Sequence, residues 1–258
     1  MLDNNNPVLY AFDGAVARVT LNRPDKRNAL NDAVIAGIKE GLRKASADER
    51  VRVIVISGAG KDFCSGADLS ALQKIAGASV SENSEDARTL LELFLSIRQI
   101  PVPVVAAVTG RALAGGCGLA TACDLVLASA SARFGYPEVK IGFVPAMVMA
   151  ILKRNVSEKR AFELITRGEE ISAQQAKEIG LINQVFSDET FADDVNAYVS
   201  RFEQLGKQAI ALTKVLLYQI DGLAFNEALE TGADVNVIAR MTEDCQKGIA
   251  RFLQKDRT

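Results

Sequence analysis

Residues 102–144 read VPVVAAVTGRALAGGCGLATACDLVLASASARFGYPEVKIGFV, and their order decides the fold. The apolar run at 102–108 predicts a buried strand, a Gly-rich turn follows it, and the small residues at 113–123 predict a close-packed helix. A second strand is expected at 124–128, after which Phe134-Gly135-Tyr136-Pro137-Glu138 closes the stretch. This layout aims the backbone N–H groups of Gly115 and Gly116 at one spot and brings an acidic side chain, Glu138, back towards it.

Working outward, residues 15–21 alternate as a half-buried strand does, and residues 51–57, VRVIVIS, read as a buried one. Between them lies a turn with three cations in five residues, Arg23, Lys26 and Arg27, and then a helix capped by Asn31 that runs to about residue 45. The cationic turn reads either as a solvated loop or as a phosphate contact. The Ser- and acid-rich tract 74–88 reads as a mobile loop or frayed helix, followed by a helix at 87–98 that Pro101 and Pro103 terminate. Beyond residue 144 the pattern becomes helical, with segments expected from Pro145, at 157–168, 172–180, 188–205, 207–220, 224–241 and 242–254. The fold class is α/β with a helical C-terminal part, divided at 1–200 and 201–258.

Composition limits the function. The 258 residues are 48% apolar and 24% charged, with a net charge of −2 and a mean hydropathy of +0.10, as in ordinary globular proteins. No basic surplus argues for nucleic-acid binding, and no stretch reads as a membrane span or a secretory leader. Four cysteines without a CxxC pair fit a reduced, cytoplasmic setting. The chain has no histidine, which removes Ser-His-Asp and Cys-His hydrolysis and the common zinc sites. Proton chemistry must then use carboxylates, Lys, Tyr or Cys. Gly60-Lys61 fails as a phosphate loop because Val55 and Asp62 stand where Gly and Ser or Thr belong; Gly116-x-Gly118 fails as a dinucleotide fingerprint because Thr121 replaces the third Gly.

Two backbone donors and one carboxylate suit a thioester. Removing a proton from its α-carbon puts negative charge on the carbonyl oxygen, and each fixed N–H on that oxygen is worth on the order of 3 kcal/mol in the transition state. Ser65-Gly66-Ala67-Asp68 and Ala114-Gly115-Gly116 both offer such donors at a strand-to-helix turn. Without the second loop, Gly115 and Gly116 would read as residues that let helices pack closely.

These stretches carry a resemblance. Leu21-Asn22-Arg23-Pro24 with Asn28-Ala29-Leu30, Phe63 through Leu69, Gly110 with Ala114-Gly115-Gly116-Cys117, Cys123-Asp124, Phe134-Gly135 with Pro137-Glu138 and Gly142, and Ile171-Ser172-Ala173 with Gly180-Leu181 are similar, in order and spacing, to the crotonase superfamily of enoyl-CoA hydratases and isomerases. The resemblance implies a spiral of repeated ββα turns followed by a helical trimerisation region, with trimers often paired into hexamers. It implies an oxyanion hole from the N–H groups of Ala67 and Gly115, with Glu138 as acid/base. It places Arg23, Lys26, Arg27 and Ala29 near the CoA nucleotide, and Ser65, Gly66, Asp68, Leu69 and Gly116 along the thioester. Phe252 and Lys255 would reach a neighbouring subunit's nucleotide. No metal and no cofactor are expected, CoA being part of the substrate.

Two departures stand out. Hydratases of this kind carry a first glutamate where this chain has Gly118, and a Gly-rich turn where it has Ala146-Met147-Val148-Met149. The Met-containing helix reads either as core or as an apolar acyl pocket. With Glu138 alone, three functions remain: an enoyl-CoA hydratase or reverse dehydratase, an enoyl-CoA isomerase that needs one proton shuttle, or an acyl-CoA-binding protein without turnover.

Overall fold

The structure, a computed structural model, describes residues 6–255. The N-terminal hairpin β1 (Val8–Asp13) and β2 (Val16–Leu21) leads through α1 (Asp32–Ala47) to β3 (Val53–Gly58). Helices α2 (Leu69–Gly77) and α3 (Val80–Gln99) precede β4 (Val104–Val108), β5 (Arg111–Leu113), α4 (Gly115–Ala122), β6 (Leu125–Ser129) and β7 (Arg133–Gly135). The chain continues through α5 (Ala146–Asn155), α6 (Glu158–Arg167), β8 (Ile171–Ser172), α7 (Ala173–Glu178), β9 (Gln184–Phe186) and α8 (Phe191–Ser200). It ends in α9 (Lys207–Gln219), α10 (Phe225–Met241) and α11 (Glu243–Lys255).

A six-stranded sheet in the order β1-β2-β3-β4-β6-β9 forms the first layer, antiparallel only between β1 and β2. A second layer, β5-β7-β8, is extended by the bridges Cys64–Ala112 and Leu30–Ala67. Successive circuits of the chain thus give one strand to the large sheet and a short strand or bridge to the small one, which is a spiral. The points where the second layer is stitched are the Gly-rich turns, so the winding itself gathers the 28–30, 63–68 and 111–116 segments.

Both faces of the large sheet are covered, which is why its parallel strands read as continuous apolar runs. Ile54, Ile56, Val104, Ala106 and Val108 join Ile38 and Leu42 of α1, Leu93 and Ile97 of α3 and Leu119 of α4 in the main core. Their neighbours Val53, Val55, Val105 and Ala107 face the other way, onto Phe191, Val195 and Val199 of α8.

The structure corrects the sequence reading in three places and decides a fourth. Of the two readings of tract 74–88 the helical one holds apart from a break at 78–79: α2 runs to Gly77 and α3 begins at Val80 behind a capping box between Ser79 and Glu82. Strand β1, absent from the sequence expectation, edges the sheet. Residues 111–113 form β5, so α4 starts at Gly115 rather than 113. The helix expected at 188–205 stops at Ser200 and tightens into a 3-10 turn.

Candidate active site

The orientation of the Gly115 N–H is set by the residue before it. Ala114 has φ 51° and ψ −127°, a region L-residues rarely adopt, and its N–H is held by Gly135 O at 2.9 Å. The following peptide is therefore turned, and α4 starts with Gly115 N–H outside the helical ladder. Ala67 is presented in a comparable way. Leu30 N–H donates to Gly66 O at 2.7 Å and Asp68 N–H to Leu30 O at 2.9 Å, which turns Ala67 N–H away from that bridge. Among the described residues neither N–H is engaged by another backbone group.

The two loops touch. A Cβ at Gly66 would lie 2.8 Å from Ala114 Cβ and 3.6 Å from Gly115 N, at a positive φ of 95°. Gly116 packs against the Cys64 backbone, where a Cβ would meet Cys64 O at 2.3 Å. Gly116 therefore lets the loops pack together, and Ala67 and Gly115 present N–H groups that no backbone group engages among the described residues.

Glu138 lies in a 3-10 helix, Pro137–Ile141, opened by proline and closed by Gly142 in the left-handed region. Gly168, ending α6, supports it from below, with Pro137 Cα and Val139 Cγ2 within van der Waals reach of a Cβ built there. The carboxylate is half-buried; Oε2 is inaccessible and has no hydrogen-bond partner among the described residues. Burial raises its pKa above the ordinary glutamate value, against a small lowering by its own backbone N–H. Its charge also reaches α4: the Cys117 thiol is pushed up to about 12, by burial first and with a contribution from Glu138. Tyr136, fully buried with its hydroxyl 3.3 Å from Thr121 Oγ1, links the Glu138 segment to the same helix. Glu138 and the Gly115 N–H are thus carried on packed neighbours.

The cationic turn divides. Arg23 donates to Ala29 O at 2.9 Å and faces Asp68 Oδ2 at 2.7 Å as a close ion pair. Asp68 also caps α2 through Ser70 N–H and hydroxyl, and its pKa is lowered by the Ser70 N–H first and Arg23 next. Arg23 and Asp68 therefore brace the loop, while Lys26 and Arg27 are exposed and without ion-pair partners among the described residues. Ala29 is buried, and Ser65 N–H is held by Arg27 O at 3.0 Å. Phe252 is exposed on α11; the side chains of Leu69 and Lys255 lie outside the described residues.

Sequence reasoning gave Asn28 as part of a motif but with no role. Fully buried in the left-handed region at φ 54°, it donates to Ala59 O and Asp62 O and accepts from Arg23 N–H, tying the cationic turn to the loop after β3. An Asn in a tight turn is the one signal that could have found it, since Asn tolerates positive φ. Tyr136 and Gly168 gave no chemical signal.

Cys64 is likewise pushed up to about 12 by burial, so neither it nor Cys117 supplies a thiolate near neutrality. Among the described residues no cluster is arranged to hold a metal ion, and no helix is long and apolar enough to cross a membrane.

Comparison with known proteins gives the family. The enoyl-CoA hydratase/isomerase family model matches residues 11–258. The 2,3-dehydroadipyl-CoA hydratase of Escherichia coli K12 is 34% identical, covering 93% of this chain and 92% of its own. Crotonyl-CoA hydratase of Syntrophomonas wolfei is 33% identical over 96% and 95%. The crystal structure of an enoyl-CoA hydratase from Mycobacterium smegmatis superposes with a TM-score of 0.92 at 33% identity, covering 96% of each chain. A spiral α/β fold, two free N–H groups at its turns and a match along nearly the whole chain make this protein a member of the enoyl-CoA hydratase/isomerase family, the crotonase superfamily.

Proposed function

We propose that the protein is an enoyl-CoA hydratase, running in either direction between a 2-enoyl-CoA and a 3-hydroxyacyl-CoA. The observation that carries this reading is Glu138: a carboxylate with a buried, unpartnered oxygen and a raised pKa, on a segment packed against the helix that begins with a free donor. A buried polar atom left unpaired is costly unless it has work to do.

In this mechanism the thioester oxygen accepts from Ala67 and Gly115 N–H. The Glu138 carboxylate takes a proton from water as the oxygen bonds to the β-carbon, and the charge passes to the thioester oxygen as an enolate. Glu138, now protonated, returns that proton to the α-carbon, so one water is added and the enzyme is unchanged. A raised pKa suits a group that is base in one half and acid in the other. Lys26 and Arg27 are the free cations for the CoA phosphates, and no cofactor beyond CoA is required.

A second reading, delta-isomerisation of a 3-enoyl-CoA, is favoured by Gly118, which leaves no carboxylate at the position of the first family glutamate. There Glu138 removes the α-proton and delivers it to the γ-carbon. The deciding assay gives wild type and Glu138→Gln a panel of 2- and 3-enoyl-CoA thioesters and weighs the products. A gain of 18 Da that the substitution reduces by at least about a hundredfold supports hydration. Conversion without mass change supports isomerisation, and binding without conversion supports the acyl-CoA-binding reading. The assignment of 201–258 to assembly as a trimer or paired trimers, with Phe252 and Lys255 reaching a neighbour's nucleotide, and a cytoplasmic location belong to the same proposal.

A further inference from the structure

The two departures from the family pattern meet in space. A Cβ built on Gly118 would lie 2.3 Å from Val148 Cγ1, 3.3 Å from Val148 Cβ and 3.4 Å from Phe94 Cζ. A side chain at 118 has no room, because Val148 already holds that volume. Of the Met-containing segment it is Val148 that turns inward: Met147 is partly buried and Met149 is exposed. Gly118 stands three residues beyond Gly115, about 4.5 Å along α4. Val148 is in the first turn of α5, which leaves the segment carrying Glu138. The contact is therefore one turn along α4 from Gly115, against a helix that follows the Glu138 segment in the chain, and the atoms that a side chain at 118 would meet are hydrocarbon, from Val148 and Phe94.

We infer that Val148 is the specificity-determining residue of the acyl site: it fills the space over Gly118 and closes that side with an apolar wall beside the α- and β-carbons, so that straight acyl groups are accepted and branched ones excluded. The inference rests on the thioester reading above, because the position of the acyl carbons follows from placing the carbonyl oxygen on Gly115 N–H. It joins two sequence peculiarities into one exchange, in which bulk absent from position 118 is supplied from position 148.

The test uses wild type, Val148→Ala, Val148→Ile, Gly118→Ala and the double Gly118→Ala/Val148→Ala. Thermal midpoints are measured, with dissociation constants for butyryl-CoA and isobutyryl-CoA, two isomeric thioesters that cannot be hydrated. Val148→Ala is expected to shift the affinity ratio towards isobutyryl-CoA by about tenfold, the scale of one methyl group in an apolar pocket, and Val148→Ile to shift it the other way. Gly118→Ala is expected to lower the thermal midpoint, and the double variant to recover most of that loss. Binding of both thioesters with an unmoved ratio, or strictly additive midpoints, overturns the inference alone. Binding of neither thioester by wild type overturns the thioester reading and the inference with it.

Discussion

Glu138 and Ala114 are both held in states that folding alone would not choose. Burial raises the Glu138 pKa, so ionising it disfavours the folded state. The stability it contributes is complete below the unfolded value of about 4.3 and is lost as pH rises through the higher folded value. Glu138→Gln is accordingly expected to match wild type in urea unfolding near pH 4 and to exceed it at pH 8, while catalysis is lost at both; lower stability of the variant at pH 8 would contradict this account. Ala114 holds a positive φ that costs roughly 1–3 kcal/mol in an L-residue. Replacing it by glycine relieves that cost and adds unfolded-state entropy, for a net gain of about 1 kcal/mol by denaturant titration. A loss would show that the Ala114 methyl, packed against Gly66, matters more than the strain. At this scale the sequence disclosed groups with a chemical signature, Glu138 and the two Gly-rich turns. It concealed Asn28 and Tyr136, whose importance lies in burial, because a polar residue in a turn looks the same whether solvated or enclosed.

Elements were legible where burial leaves a pattern and obscure where it does not. Strands β3 and β4 are covered on both faces and show as apolar runs; β1 lies at the sheet edge, where Val8, Tyr10 and Phe12 face the core but apolar Leu9 between them blurs the alternation. The first turns of α3 are solvent-facing, so their composition resembles a loop, and only the Ser79-x-x-Glu82 spacing marks a helix start. Both halves of that box are formed, Glu82 N–H to Ser79 Oγ at 3.3 Å and Ser79 N–H to Glu82 Oε2 at 2.8 Å. Ser79→Ala should cost about 1 kcal/mol locally. Faster amide exchange at 80–83, with exchange in β4 unchanged, is the expected signature; uniform acceleration would mean that α3 opens only with the whole fold.

For the whole molecule, the C-terminal helices pose the question. α10 buries none of its described residues, and Phe225 and Met241 are 76% and 79% exposed, with Leu229, Val237 and Ile238 exposed between them. A surface this apolar marks an interaction site. Light scattering should therefore find an assembly that Leu229→Asp with Val237→Asp reduces to monomer; a wild-type monomer would remove the oligomer from the proposal.

A buried lysine helps to tie this region to the core. Lys214 of α9 donates to Ile97 O at 2.8 Å, Val102 O at 2.9 Å and Asp124 Oδ2 at 2.7 Å, and Asp124 also receives Tyr218 hydroxyl and Val104 N–H, each at 2.7 Å. Burial lowers the lysine pKa although Asp124 opposes the shift, so the pair is held by geometry rather than by charge alone. The sequence showed Cys123-Asp124 as a motif without a purpose, because its partner lies 90 residues away. Lys214→Met leaves Asp124 charged and short of a partner, and also strands the carbonyls that close α3 and open β4. It should lose about 3 kcal/mol in urea unfolding, and the added change Asp124→Asn should restore part of that loss by removing the unpaired charge. If the double variant is no better than Lys214→Met, the cost lies in the stranded carbonyls, and Lys214 acts as a backbone clamp first and an ion-pair partner second.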